Sequence, residues 1–214
     1  MYNIYITDDM YHTIYKKRVK TLMPPKKRFT KEQIVDAAFH IAKIDGLDSI
    51  SIRKIAEKLG SSIAPIYVNF SDVDELKREV IKKVIVLSHA MIHEENSGDL
   101  FRDIGAASLR FAKEYNALFN DLIMKQNEYI HDYNDEIGND LILLMRKSSD
   151  LKGFSDEELR MILSKMKIFQ TGLSIMIANN ILPSTVDEKE SINLLESMAE
   201  DVILAAKYRK EKGI

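Results

Sequence analysis

The sequence predicts an all-α protein. Only 8 Gly and 4 Pro occur among 214 residues, which leaves few of the turns that a sheet requires. From Thr30 onward apolar residues recur three and four apart, the period of a helix with one buried face. Hydroxyl and carboxylate residues stand at the breaks between those runs, where the free N–H groups of a helix start need acceptors.

Residues 1–22 read as an appendage: they hold Tyr2, Tyr5, Tyr11 and Tyr15 without sustained periodicity, and Pro24 and Pro25 cut them off. Met23 reads as the natural start, opening a basic arm of Lys26, Lys27 and Arg28 whose plain alternative is a solubilising tail. Thr30 at N-cap and Gln33 at N3 have capping-box spacing for a first helix, with Ile34, Ala37, Ala38, Ile41 and Ala42 inward. Gly46 stands where a left-handed stop is wanted. Ser51 caps a short second helix with Ile52, Ile55, Ala56 and Leu59 inward, and Gly60 closes it. Ser62 is expected to cap a third helix, with Pro65 in its first turn and Ile66 and Tyr67 inward or along one edge. Phe70 reads as a core aromatic, whereas Tyr67 has a ring for the core and a hydroxyl for a polar partner. Ser71-Asp72-Val73-Asp74 then starts a long fourth helix with carboxylates at its positive end. Helices are expected over 72–95, 100–116, 118–125, 128–148, 155–180 and 187–209, with breaks at Ser97-Gly98, Lys152-Gly153 and Leu182-Pro183.

The absence of Cys excludes a disulfide framework, thiolate-ligated zinc, an iron–sulfur cluster and a thiol redox switch. No apolar run approaches the roughly 20 residues that span a bilayer, and Asp8 and Asp9 interrupt the place of a signal-peptide apolar region. A cytoplasmic address without a membrane partner is expected. The net charge of −2 conceals a division. From Lys16 to Lys58 there are 12 Lys and Arg against 5 Asp and Glu, and from Ser88 onward 15 against 22. A basic front steers toward polyanions, and the bland alternative is two solvated surfaces that differ. Two short helices joined by a Gly turn behind a supporting helix are the outline of a helix-turn-helix. A helix of two turns fits the roughly 12 Å major groove of DNA. The expected division is therefore a helix-turn-helix DNA-binding domain over 23–71 and a helical domain over 72–214, to which only a family resemblance assigns ligand binding and dimerisation.

The stretch FTKEQIVDAAFHIAKIDGLDSISIRKIAEKLGSSIAPIYVNFSDVDEL, Phe29 through Leu76, goes further. Its Ile34-x-x-Ala37-Ala38, Gly46-Leu47, Ser51-Ile52-Arg53-Lys54-Ile55-Ala56, Leu59-Gly60, Ile66-Tyr67-x-x-Phe70 and Glu75-Leu76 resemble the DNA-binding region of the tetracycline-repressor (TetR) family of transcriptional regulators. The resemblance covers about a fifth of the chain. It implies that Thr30 touches a phosphate and that Ser51 and Arg53 open the second helix over the backbone or groove edge. Ser62, Ile63, Ala64 and Pro65 would begin the recognition helix, with Tyr67 and Asn69 on phosphates. Two positions depart from the family, which usually carries His at Asn69 and Lys at Val73. Asn still donates a hydrogen bond; Val does not, so one backbone contact is expected to be lost, with Lys77, Lys26, Lys27 or Arg28 compensating. The recognition helix is apolar at Ile63, Ala64, Pro65 and Val68, so readout is expected through thymine methyls, backbone groups and DNA shape. Arg53 is the best candidate for a strong direct contact.

The resemblance also implies a homodimer in which the last two helices pair with their copies, holding two reading heads roughly 34–36 Å apart. Their stripes are Leu159, Ile162, Met166, Phe169, Leu173 and Met176, then Leu195, Met198, Val202 and Ala205, with Gly172 allowing close approach. Such stripes more often form ordinary core. The middle helices of the family enclose a small-molecule pocket. Candidates here are the polar residues His89, His93, Gln126, Asn127, Tyr129, Gln170 and Asn179, each also readable as a satisfied structural residue. Met91, Met124, Met145, Met161, Met166 and Met176 suit an adaptable cavity or a loosely specified core. His89 and His93 have metal-compatible spacing, but the run HAMIH lacks the internal Glu of a zinc hydrolase, and no metal or cofactor is expected. No catalytic constellation is found, so an enzyme is not expected. The reading is a ligand-responsive regulator, a repressor before an activator, with a double-stranded DNA operator and an unknown small-molecule effector. Its alternative is a helical ligand carrier or protein-interaction module whose N-terminal unit only packs.

Overall fold

A computed structural model describes residues 29–124 and 141–213. The 1–22 extension, the arm residues Lys26, Lys27 and Arg28, and the pocket candidates Gln126, Asn127 and Tyr129 lie outside the described residues, as does most of the expected 128–148 helix. The described residues contain helices and turns and no strand.

Helix α1, Lys31–Asp45, starts with the expected capping box, both Thr30–Gln33 bonds being present. Gly46 follows at φ 84° and ψ 168°, outside the left-handed helical region expected for it, and a 3₁₀ turn spans Leu47–Ser49. Helix α2, Ile52–Leu59, is capped by Ser51 and ends on Gly60 at φ 60° and ψ 40°. Helix α3 is short, Ala64–Asn69, and corrects the sequence reading: Ser62 does not cap it. Ile63 already has helical angles and no side-chain cap bond is made. Pro65 has no N–H, which removes one of the two donors a Ser62 oxygen could serve, and with Ile63 already helical the cap position falls beyond Ser62. Instead the Ile63 carbonyl accepts from Ile66 and Tyr67 at 3.1 and 3.3 Å.

Helix α4, Val73–Glu95, begins on Asp72, whose Oδ1 accepts the Glu75 N–H at 2.7 Å. Helix α5, Leu100–Glu114, begins on Asp99, and α6 spans Asn116–Met124. Residues 141–145 are helical. Helix α7, Asp156–Ala178, has the Ser155–Glu158 capping box, and α8, Glu188–Lys212, is capped by Asp187. By length and composition α7 is apolar enough to cross a membrane, which inspection of apolar runs misses. Its Leu159, Ile162 and Leu173 are nonetheless buried in protein clusters with residues of α5 and α8.

One core joins α1, α2 and α3 to α4 and to Leu118 of α6; Ile34, Ala38, Ile55, Ile66, Leu76 and Leu118 are fully buried in it. The expected boundary between residues 71 and 72 thus separates helices, while the core runs across it. The rest of the body packs around three smaller clusters, centred on Leu159, on Leu173 with Leu195, and on Ala112 with Phe119. At Gly105 a Cβ would collide with the Leu195 side chain, so α5 and α8 approach closely there. Arg102–Glu196 and Lys113–Glu188 link the same two helices at the surface.

Candidate nucleic-acid interface

Short helices hold their shape only by packing, and α2 and α3 each turn one narrow side inward. In α2 the inward residues are Ile55 and Ala56; in α3 they are Ile66, with Phe70 just past its end. The opposite side of α3 presents Ile63 (49% exposed), Ala64, Tyr67 (54%) and Val68 (84%) to solvent. Tyr67 is therefore an outward residue, while Phe70 is core. Between the two helices the Ser61 N–H reaches back to the Ala56 carbonyl at 2.9 Å and the Gly60 N–H to Glu57 at 3.0 Å. That closure ends α2 and turns the chain toward α3.

The polar candidates lie on the outside of this unit. Thr30, Arg53 and Ser62 are exposed, and Ser51, Pro65 and Lys77 are half-buried. Thr30 and Ser51 use their hydroxyl oxygens as acceptors for the Gln33 and Lys54 N–H groups. A hydroxyl has one donor besides, so capping leaves each O–H able to face a phosphate. Asn69 behaves differently: its Nδ2 donates to the Pro65 carbonyl at 2.8 Å, turning the amide back on its own helix. Val73 packs against the common core. The α4 start beside it is acidic. The Glu75 N–H bond holds the Asp72 carboxyl below the usual aspartate range, and the Ser71 N–H bond does the same for Glu75. Carboxylates thus already occupy the positive end of α4.

No protein-family model matches the chain. Over 55 residues it is 33% identical to the HTH-type nicotine-responsive transcriptional repressor HdnoR of Paenarthrobacter nicotinovorans. That match spans 26% of this chain and 28% of that protein's length. A TetR-like transcriptional regulator from Rhodococcus sp. RHA1 superposes over 90% of this chain and 100% of its own, with a TM-score of 0.59 at 17% identity. A protein of Pseudomonas aeruginosa PAO1 assigned as a transcriptional regulator covers 88% of this chain and 96% of its own, with a TM-score of 0.65 at 18% identity. The chain has the TetR-like fold.

Within the TetR-like fold, the N-terminal unit is tied to the body at a place the sequence does not announce. The Leu47 N–H donates to Asp121 Oδ2 of α6 at 2.6 Å. A Cβ at Gly46 would collide with that same carboxylate. The residue after α1 is thus Gly because α6 comes close to it, and its φ of 84° suits no other side chain well. Gly46-Leu47 was the visible half of this contact; nothing around Asp121 marks the other half. Nearby, Tyr115 stacks on Phe111 with centroids 5.2 Å apart, and Lys43 of α1 lies 4.3 Å from the Tyr115 ring centroid.

The pocket candidates do not converge. His89 and His93 are exposed on α4, Gln170 is half-buried on α7, and Asn179 donates to the Ile175 carbonyl and to Asn120. None of these four lines either of two concavities found among the described residues. The first, of about 360 Å³, lies between α5, the end of α7 and the start of α8. The second, of about 420 Å³, is an apolar groove along α7 and α8 that includes Ile168, Gly172 and Leu194. Among the described residues no group of three or more His, Asp or Glu is arranged to hold a metal ion.

Proposed function

We propose that this protein is a ligand-responsive, DNA-binding transcriptional regulator acting in the cytoplasm as a homodimer. In this reading it is a repressor released from a two-fold operator by a small-molecule effector. The observation that carries the reading is α3. Its inner residues Ile66 and Phe70 anchor it, while a short face of Ile63, Ala64, Tyr67 and Val68 stays outside with Arg53 on the preceding helix. A soluble monomer gains nothing from showing that much apolar surface on a two-turn helix, whereas thymine methyls in a major groove match it. Thr30 and Ser51 hydroxyls would position the phosphate backbone, and Arg53 would supply a charged contact.

The expected stripes do not carry the dimer reading. Their Leu159, Ile162, Leu173 and Leu195 are buried within the chain, with Met166, Phe169 and Val202 packed against them. Other residues of α7 and α8 carry it. Met161 and Ile168 on α7 and Leu204 and Tyr208 on α8 are exposed apolar residues on long helices, and the space beside Gly172 is open. A second copy laid across this surface would cover them. Ile168→Glu is expected to convert a dimer to a monomer in analytical ultracentrifugation, because an unpaired carboxylate is costly in an apolar interface. An effector need only bind the DNA-incompetent arrangement better; a differential of about 1–3 kcal/mol gives a 5–150-fold response.

The deciding experiment is retention of genomic duplex fragments followed by a salt titration of those retained. Binding through several phosphates makes log affinity fall linearly with log salt, by about 0.9 per phosphate neutralised. Absence of duplex binding, or binding indifferent to salt, would favour the helical carrier or interaction module instead.

A further inference from the structure

Ile66 and Phe70 hold α3 against the core, so the turn of the helix decides what its outer side shows. At about 100° per residue, Ala64 and Val68 stand two positions either side of Ile66 and about 160° from it. They form the outermost ridge of α3, one turn apart, and both are exposed. Val68, at 84%, is the most exposed of the large apolar residues described. Neither side chain has a donor or an acceptor. Of the six residues of α3, only Tyr67 and Asn69 have polar side chains. Asn69 Nδ2 is spent on the Pro65 carbonyl at 2.8 Å. Tyr67 stands about 100° from Ile66, on a flank of the helix and off the ridge.

The ridge is apolar, but its surroundings are not. The adjoining helix α2 exposes Arg53, Lys54 and Lys58 against one exposed carboxylate, Glu57. Those cations attract a polyanion, and duplex DNA is a polyanion with methyl groups on its base edges. In the major groove thymine presents its C5-methyl beside the O4 acceptor, whereas cytosine presents an N4–H₂ donor. Uracil and cytosine lack the methyl; 5-methylcytosine has it on the same carbon as thymine. Telling O4 from N4–H₂ takes a side chain that donates or accepts, and the ridge has none. Recognising the methyl takes only a close apolar surface.

We infer that Ala64 and Val68 recognise the pyrimidine C5-methyl group itself, so that thymine and 5-methylcytosine are accepted alike under α3 while uracil and cytosine are not. This deepens the operator reading above and rests on it, since it needs α3 in the major groove. Methylation of a cytosine under the ridge then acts as a gain of contact. Each methyl brought against the ridge strengthens binding about fourfold, or about fifteenfold for the pair in a two-fold operator.

The probe is a genomic duplex retained in the salt titration, resynthesised with deoxyuridine for thymidine at symmetry-related positions, one pair at a time. Affinity for the full chain is read by fluorescence anisotropy. One such pair is expected to cost about fifteenfold. At that same pair, 5-methylcytosine is expected to bind about fifteenfold tighter than cytosine, whatever the standing of either against thymine. Val68→Ala should bring both ratios to about fourfold or less while leaving affinity for the uracil duplex nearly unchanged. Val68 is exposed, so the fold does not depend on it. Four results overturn the inference: no position where uracil costs more than about twofold, a methyl that helps on thymine but not on cytosine, ratios unchanged in Val68→Ala, or a Val68→Ala loss equal on thymine and uracil duplexes. In each of them a duplex still binds with its salt dependence, so the regulatory reading stands. A chain that retains no duplex sinks both.

Discussion

The N-terminal unit and the body of this chain distribute burial differently. Around α1, α2 and α3 a single core extends into α4 and takes in Leu118 of α6. The body divides its apolar residues among three smaller clusters and leaves Ile168, Leu204 and Tyr208 outside. Helices as short as α2 and α3 cannot stand without such support. The unit that presents α3 is therefore not an independent bead on a string. Its position is set by α4 and by Asp121, so a change in the body has a physical route to it.

The largest expected effect tests whether that core is truly shared. Phe70 is 2% exposed at the junction of α3 and α4. Phe70→Ala is expected to cost about 3–5 kcal/mol and to lower the midpoint of one common transition in urea, followed by circular dichroism. Two separated transitions, with the body unfolding as in the unsubstituted protein, would show that the two regions fold apart.

A smaller effect sharpens the link itself. Gly46→Ala forces a side chain at positive φ against Asp121, and is expected to cost about 1–3 kcal/mol. Asp121→Ala leaves the part-buried Leu47 N–H without its acceptor, for about 1–3 kcal/mol. Because both act on one contact, the double variant should fall well short of the sum. Additive costs would mean that Gly46 and Asp121 act separately. Duplex affinity comes next in size. Arg53→Ala is expected to weaken binding about tenfold in gel shifts, from the 1–3 kcal/mol of a direct contact, and Tyr67→Phe by less because the ring remains. Unchanged affinity for both would remove the outer face of α2 and α3 from the interface.

The same contrast explains what the sequence made legible. In the N-terminal unit each boundary is marked by a local chemical rule: the Thr30–Gln33 box, Ser51, Gly60 and Asp72 all stand where the structure uses them. The rule fails twice. At Gly46 the angles are set by the approach of α6 rather than by a left-handed stop. At Ser62, Ile63 already has helical angles and Pro65 has no N–H to offer. In the body the helix starts at Ser155 and Asp187 were equally readable. Cavity walls are not, because they are set by which helices meet rather than by neighbours in sequence. His89 and His93 share a helix face but point to solvent, whereas Arg110, with no motif around it, lines a cavity. Asp121 was invisible for the same reason, since its partner lies 74 residues away.

The smallest effect concerns pH and separates the start of α4 from the body. The Asp72 carboxyl is held below its ordinary value of 3.8, first by the Glu75 N–H bond. A group with a depressed folded pKa contributes stability that is complete above the unfolded value and disappears as pH falls through the folded one. Asp156 and Glu158 in the body are lowered too, by Arg146 and Lys210, so acid weakens both regions. Asp72→Asn distinguishes them, because Asn keeps a capping oxygen without the titrating charge. Its urea midpoint should lie below that of the unsubstituted protein at pH 7, with the gap constant down to about pH 5. Below that the gap should close as Asp72 takes up its proton. A gap that persists unchanged to pH 3 would mean that Asp72 caps by geometry alone and that its charge does nothing for α4.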